Sequence, residues 1–177
     1  MNTNSKNKSP HPGSSLPSFG GVGGGFGLGE AISIQNINKS YGEVQAVRDI
    51  SLDVKKGELF GLIGPDGAGK TTLMRILMTL LIQDQGIASM NGFDVIKDYK
   101  KIRSIVGYMP GRFSLYQDLT VEENLNFFAT VFKTTVAENY DLIHDIYIQI
   151  EPFKNRLAGK LSGGMKQKLA LSCALIH

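Results

Sequence analysis

The chain has 177 residues, enough for one domain, and an ordinary composition of 42% hydrophobic and 20% charged residues. That excludes a wholly disordered chain, and a formal net charge of +3, spread and mixed in sign, makes no demand for a nucleic-acid partner. No run of about 18 apolar residues is present to span a bilayer, the N-terminus has no secretory h-region, and the single Cys173 reads as a small apolar residue on a helix.

Residues 1–29 form a low-complexity segment, rich first in Asn, Ser, Lys and Pro and then in Gly from Gly20 to Gly29. It carries too little apolar surface to offset its ordering entropy, so a disordered tail is expected there. Ordered structure is expected over 30–177. Residues 31–37 (AISIQNI) and 44–54 (VQAVRDISLDV) alternate apolar and polar, the pattern of an antiparallel pair of half-buried strands. Lys55-Lys56-Gly57-Glu58 is a turn signal. Residues 59–63 (LFGLI) are continuously apolar, as in a strand buried on both faces. Residues 73–81 (LMRILMTLL) then read as a helix that is apolar nearly all round, and Met90-Asn91-Gly92-Phe93 as a tight turn.

Residues 104–109 (SIVGYM) read as another buried strand. Thr120-Val121-Glu122-Glu123 matches a capping box, opening a helix whose apolar face is NLNFFATVF. A second helix is expected over about 138–150, interrupted at Pro152, and a last one from LSGGMKQ to the end of the chain.

Between LFGLI and the first helix lies Gly64-Pro65-Asp66-Gly67-Ala68-Gly69-Lys70-Thr71-Thr72, which matches G-x-x-x-x-G-K-[ST] in the strand-to-helix setting the motif needs. A triphosphate requires many donors converging on one anion. Gly67 and Gly69 have no Cβ, so the backbone can curl round the phosphates. The amides of Gly69 to Thr72 then open a helix, where the dipole favours anions. Lys70 supplies a mobile cation for the terminal phosphates, and the Thr71 hydroxyl is placed to ligate Mg2+.

The second sharp motif is Leu161-Ser162-Gly163-Gly164-Met165-Lys166-Gln167. Alone it reads as a helix start, with Ser162 as N-cap. Together with the phosphate loop it closely resembles the signature of ABC ATPases, with Met165 where that family usually has glutamine. The resemblance runs from about residue 32 to residue 177. It implies an α/β P-loop NTPase of ABC type, a mixed sheet with an antiparallel β subdomain and a helical subdomain. It implies ATP as ligand, with Tyr41 stacking on adenine and residues 64–72 on the phosphates. It also implies that Ser162, Gly163 and Gly164 reach the γ-phosphate held by a second nucleotide-binding domain in a head-to-tail dimer. The expected setting is the cytoplasmic face of a membrane, attached through a separate permease subunit, with export suggested by the likeness of GYMPGRFSLYQDLTVEENL to drug-type exporters.

Two departures from the family pattern stand out. Gly111 and Arg112 occupy the place where a glutamine is usual after SIVGYMP, so coupling there falls to backbone or to Arg112. The family's Walker B strand, catalytic glutamate and switch histidine have no counterpart up to His177, so no catalytic residue is assigned within these 177 residues. The chain is expected to be incomplete, to bind MgATP weakly on its own and to hydrolyse it hardly at all. LFGLI is then expected to keep an unpaired edge or an uncovered face. A non-hydrolysing ATP-binding module and a soluble ABC-type ATPase are the alternative readings; the second fits less well, since no heptad run separates the two motifs and there is no second cassette.

Overall fold

A computed structural model describes residues 29–111 and 115–177, so the tail expected over 1–29, apart from Gly29, and Arg112 lie outside the described residues. The two alternating segments form β1 (Glu30–Tyr41) and β2 (Val44–Lys55), an antiparallel pair in which Ile32 faces Val54 and Tyr41 faces Val44. β3 (Gln85–Met90) adds antiparallel to the other edge of β1, and β4 (Phe93–Asp94) folds back on β3. The sheet order is β2-β1-β3-β4. The β3–β4 link is the tight turn that its sequence signals. Asn91 and Gly92 both take positive φ, and Met90 pairs with Phe93.

α1 (Lys70–Leu77) packs Leu73, Ile76 and Leu77 against Ile34, Ile37, Val47 and Ala88 of the sheet. A short α2 (Tyr99–Arg103) closes this core with Ile102. The second core is helical. α3 (Val121–Val131), α4 (Tyr140–Tyr147) and α5 (Gly163–Leu175) meet through Val121, Leu125, Ile143, Tyr147, Leu169 and Cys173. Burial pushes the Cys173 thiol up to about 12, so it behaves as an apolar side chain and not as a thiolate. Within this core, buried Asn124 returns from α3 to the loop before it. Its carboxamide accepts from the Tyr116 amide and donates to the carbonyls of Tyr116, Leu119 and Thr120.

The capping box forms as its residues dictate. The Thr120 hydroxyl accepts from the Glu123 amide, and the Thr120 amide donates to the Glu123 carboxylate at 2.7 Å. That amide holds the Glu123 carboxyl below the usual range. Thr120→Ala will lower stability by about 1 kcal/mol, read as a fall in the thermal midpoint with the transition still cooperative. An unchanged midpoint would show that α3 does not depend on its cap.

Four expectations are corrected. LFGLI is not a buried strand: no strand pairs with it among the described residues, and Leu59 and Ile63 are 101% and 96% exposed. SIVGYM likewise forms no strand. A strand is held by ladder hydrogen bonds on its flanks, and among the described residues neither segment has a neighbouring strand to supply them, as the unpaired edge foreseen for LFGLI requires. The antiparallel and helical parts of the fold are therefore formed, and among the described residues no parallel strand pair is. Third, the helix after the loop starts at Lys70, as the loop amides require, but ends at Leu77, short of the end of the apolar run, and Met74 and Leu80 are exposed. The fourth helix is also shorter than 138–150. Glu138 turns back to accept from Thr134 and Thr135 instead of joining it, and Pro152 sits in a 3-10 turn over Glu151–Phe153.

Candidate phosphate-binding site

The phosphate loop leads directly into the first turn of α1. Gly69 is the residue before that turn, in the left-handed conformation at φ +82°, and its carbonyl accepts the Leu73 amide at 2.9 Å. A Cβ on Gly69 would lie 2.1 Å from the Ala46 carbonyl oxygen of β2 and 3.2 Å from Val47. Glycine is thus required twice, by conformation and by the wedge of loop against strand. Gly67 shares the positive φ, but a Cβ there would meet nothing within 4 Å.

Lys70 folds back over the loop and donates to the carbonyl oxygens of Gly64 and Pro65 at 2.6 and 2.7 Å. Ala68 donates to Pro65, closing the turn. The ammonium therefore sits in the concavity, held among the described residues by neutral carbonyls that an anion can replace. The first turn of α1 carries no acidic residue to compete for that position. Lys70 and Thr71 line a depression of about 390 Å³ with Phe60, Leu62, Tyr108 and Gly111. Gly111, at the place where a glutamine was looked for, therefore borders the same depression without a side chain to offer.

The residues fit a triphosphate with its metal. A loop wedged by Gly69 against Ala46, a cation and a helix start converge there, and Thr71 brings an exposed hydroxyl. Among the described residues no group of three His, Cys, Asp or Glu side chains could hold a metal by itself. An ion at this loop would take its remaining oxygens from phosphate and water, which is the habit of Mg2+.

Tyr41 ends β1 and is 46% exposed, at the hairpin that leads into β2 and so to Ala46 behind Gly69. One residue supporting this end was not foreseen. Asp84 pairs with Lys39 at 2.5 Å and accepts from the Ser40 amide at 2.7 Å, pinning the two residues before Tyr41. The Lys39 ammonium, and after it the Ser40 amide, hold the Asp84 carboxyl below the usual range. The pin is complete at neutral pH and is lost only as acid protonates Asp84 through that lowered value. Asp84 lies 44 and 45 positions from its partners, and no local pattern marks it.

Ser162 caps α5, accepting from the Met165 amide at 3.4 Å, and Gly163 and Gly164 form the exposed first turn. They belong to the helical core through Leu161, whereas the loop belongs to the sheet core through Leu73. The structure thus keeps residues 64–72 together as the turn into α1 and leaves Ser162–Gly164 at the start of a different element.

Comparison with known proteins accords with this geometry. A family model described as ABC transporter matches residues 47–177. The chain is 48% identical over 133 residues to the probable multidrug ABC transporter ATP-binding protein YbhF of Escherichia coli, covering 74% of this chain and 23% of that protein. A solved ATP-binding subunit of an ABC transporter superposes with a TM-score of 0.73 at 27% identity, covering 82% of this chain and 62% of that one. A bacterial ABC transporter cassette of dimeric structure gives 0.69, also at 27% identity, covering 82% of this chain and 69% of that one.

Proposed function

The chain belongs to the ABC transporter family, and from that premise we propose that it is the ATP-binding part of a transporter, holding MgATP through residues 64–72. The observation that carries the reading is Lys70, at the start of α1, folded into a glycine-shaped loop where its partners among the described residues are the Gly64 and Pro65 carbonyls. Triphosphate oxygens offer that ammonium charge-assisted bonds in place of neutral ones, about twice as strong. The amides of Gly69 to Thr72 add donors at the helix start, and Thr71 contributes its hydroxyl to Mg2+. Bound Mg2+ would neutralise charge between the terminal phosphates.

Tyr41 supplies the platform for adenine. Ser162, Gly163 and Gly164 serve the ATP of a second nucleotide-binding domain, a reading supported by the dimeric cassette that this chain resembles. Coupling to transport passes through a separate permease at the cytoplasmic face of a membrane, with no nucleic acid involved; among the described residues no helix is long and apolar enough to cross a membrane. Likeness to a multidrug-type protein favours export.

Tyr41→Ala tests the adenine assignment. It will weaken ATP and adenosine binding alike by about 1–3 kcal/mol, the range of base stacking on an aromatic ring. Displacement of a fluorescent ATP analogue by each ligand reads both. A loss for ATP with none for adenosine would remove Tyr41 from the site. A turnover assay run beside the binding assay separates an ATPase from a non-hydrolysing module.

A further inference from the structure

The segment around α2 combines cations with exposed apolar side chains in a way that the nucleotide site does not use. Ile102 is fully buried in the sheet core, which fixes how the short helix sits. Outward it presents Lys100, Lys101 and Arg103, with Lys97 on the turn before. Among these cations Ile96 is 45% and Tyr99 40% exposed. The Tyr99 ring is flanked by Arg103 at 5.2 Å and Lys100 at 5.9 Å. Arg103 is anchored by bonds to the Thr79 hydroxyl and carbonyl, so the ring is held in place by a fixed guanidinium. The two local carboxylates are turned inward to the chain. Asp94 accepts from the Ile96 and Lys97 amides, and Asp98 accepts from the Asp94 amide and from Lys101.

We propose that this face, Ile96 to Arg103, binds the anionic headgroups of a lipid bilayer. The chemistry is that of an interfacial anchor. Lysines attract a negative surface within a Debye length, and an aliphatic and an aromatic side chain enter the headgroup layer. Lys97 and Lys100, which make no ion pair with a carboxylate among the described residues, carry the attraction. Ile96 and Tyr99 supply the apolar component without which a few cations bind only diffusely. Charge complementarity points to the partner: an anionic surface with an apolar layer beneath it matches four cations set round exposed Ile96 and Tyr99. The inference is independent of the nucleotide reading, since none of these residues lines the phosphate loop.

Vesicle co-sedimentation of the 177-residue chain tests it, comparing phosphatidylcholine alone with phosphatidylcholine containing about a third phosphatidylglycerol. Binding to the anionic vesicles alone is expected, falling steeply as KCl is raised. The variant Lys97→Gln/Lys100→Gln/Lys101→Gln should lose about tenfold or more of the partition coefficient. The charge-matched control Lys56→Gln/Lys133→Gln/Lys154→Gln should lose little. Ile96→Ser, which leaves the charge untouched, should weaken binding severalfold. Equal losses in the two triple variants would show a net-charge effect and overturn the proposal. So would failure of the unsubstituted chain to prefer anionic vesicles, or an Ile96→Ser variant that binds as the parent does.

Discussion

Lys70→Ala will weaken ATP binding by about 1.5–3 kcal/mol, ten- to over a hundred-fold in Kd. In the free protein the ammonium is satisfied by two carbonyls, at 2.6 and 2.7 Å. Its removal therefore costs the fold little beyond the local closure of the loop. In the complex the same ammonium faces phosphate oxygens, and no other lysine or arginine donates into the loop among the described residues. The loss should thus appear in affinity and hardly in thermal stability. Calorimetric titration of parent and variant measures it. Equal affinities would mean that the triphosphate does not lie in this loop, and an equally large fall in the thermal midpoint would mean that Lys70 is chiefly a loop brace.

Gly69→Ala will act by the opposite route, through the fold first. Alanine at φ +82° costs about 1–2 kcal/mol from the left-handed conformation alone. Its Cβ would then lie 2.1 Å from the Ala46 carbonyl oxygen, a distance that no side chain can relieve because the obstacle is backbone. Either β2 or the start of α1 must move, for a total of about 2–4 kcal/mol. Binding should fall with it, since the amides of residues 69–72 lose their common direction. Gly67→Ala is the internal comparison. It carries the same φ, but its Cβ meets nothing, so only the conformational cost of about 1–2 kcal/mol applies. Equal thermal shifts in the two variants would show that the packing of Gly69 on Ala46 does not constrain the loop.

What could be read from the sequence, and what could not, follows from the range of the interactions involved. The β1–β2 ribbon, the Asn91-Gly92 turn, the Thr120 capping box and the Ser162 cap are decided by residues within a few positions of one another or by simple alternation. The phosphate loop was legible for the same reason: its glycines, Lys70 and helix start are consecutive. LFGLI was misread as a formed strand, although its lack of a partner was foreseen, because hydrophobicity marks a segment as fit to be buried whether or not a neighbouring strand is there to bury it. SIVGYM failed on the same ground. The wedge of Gly69 against Ala46 and the Asp84 pin beneath Tyr41 join positions far apart in the chain, and only the folded arrangement reveals them. Gly111 is intermediate. Its departure from the family pattern was visible, but its place on the depression that Lys70 and Thr71 line was not.

The account rests on a triphosphate seated in residues 64–72, and backbone amide chemical shifts test that seat most directly. With the 15N-labelled chain titrated by MgATP, the amides of Gly67, Gly69, Lys70, Thr71 and Thr72 should move most. Tripolyphosphate with Mg2+ should reproduce those shifts but leave Tyr41 and its neighbours in place. Saturable ATP binding that leaves the loop amides unmoved, with the largest shifts elsewhere in the chain, would contradict the account.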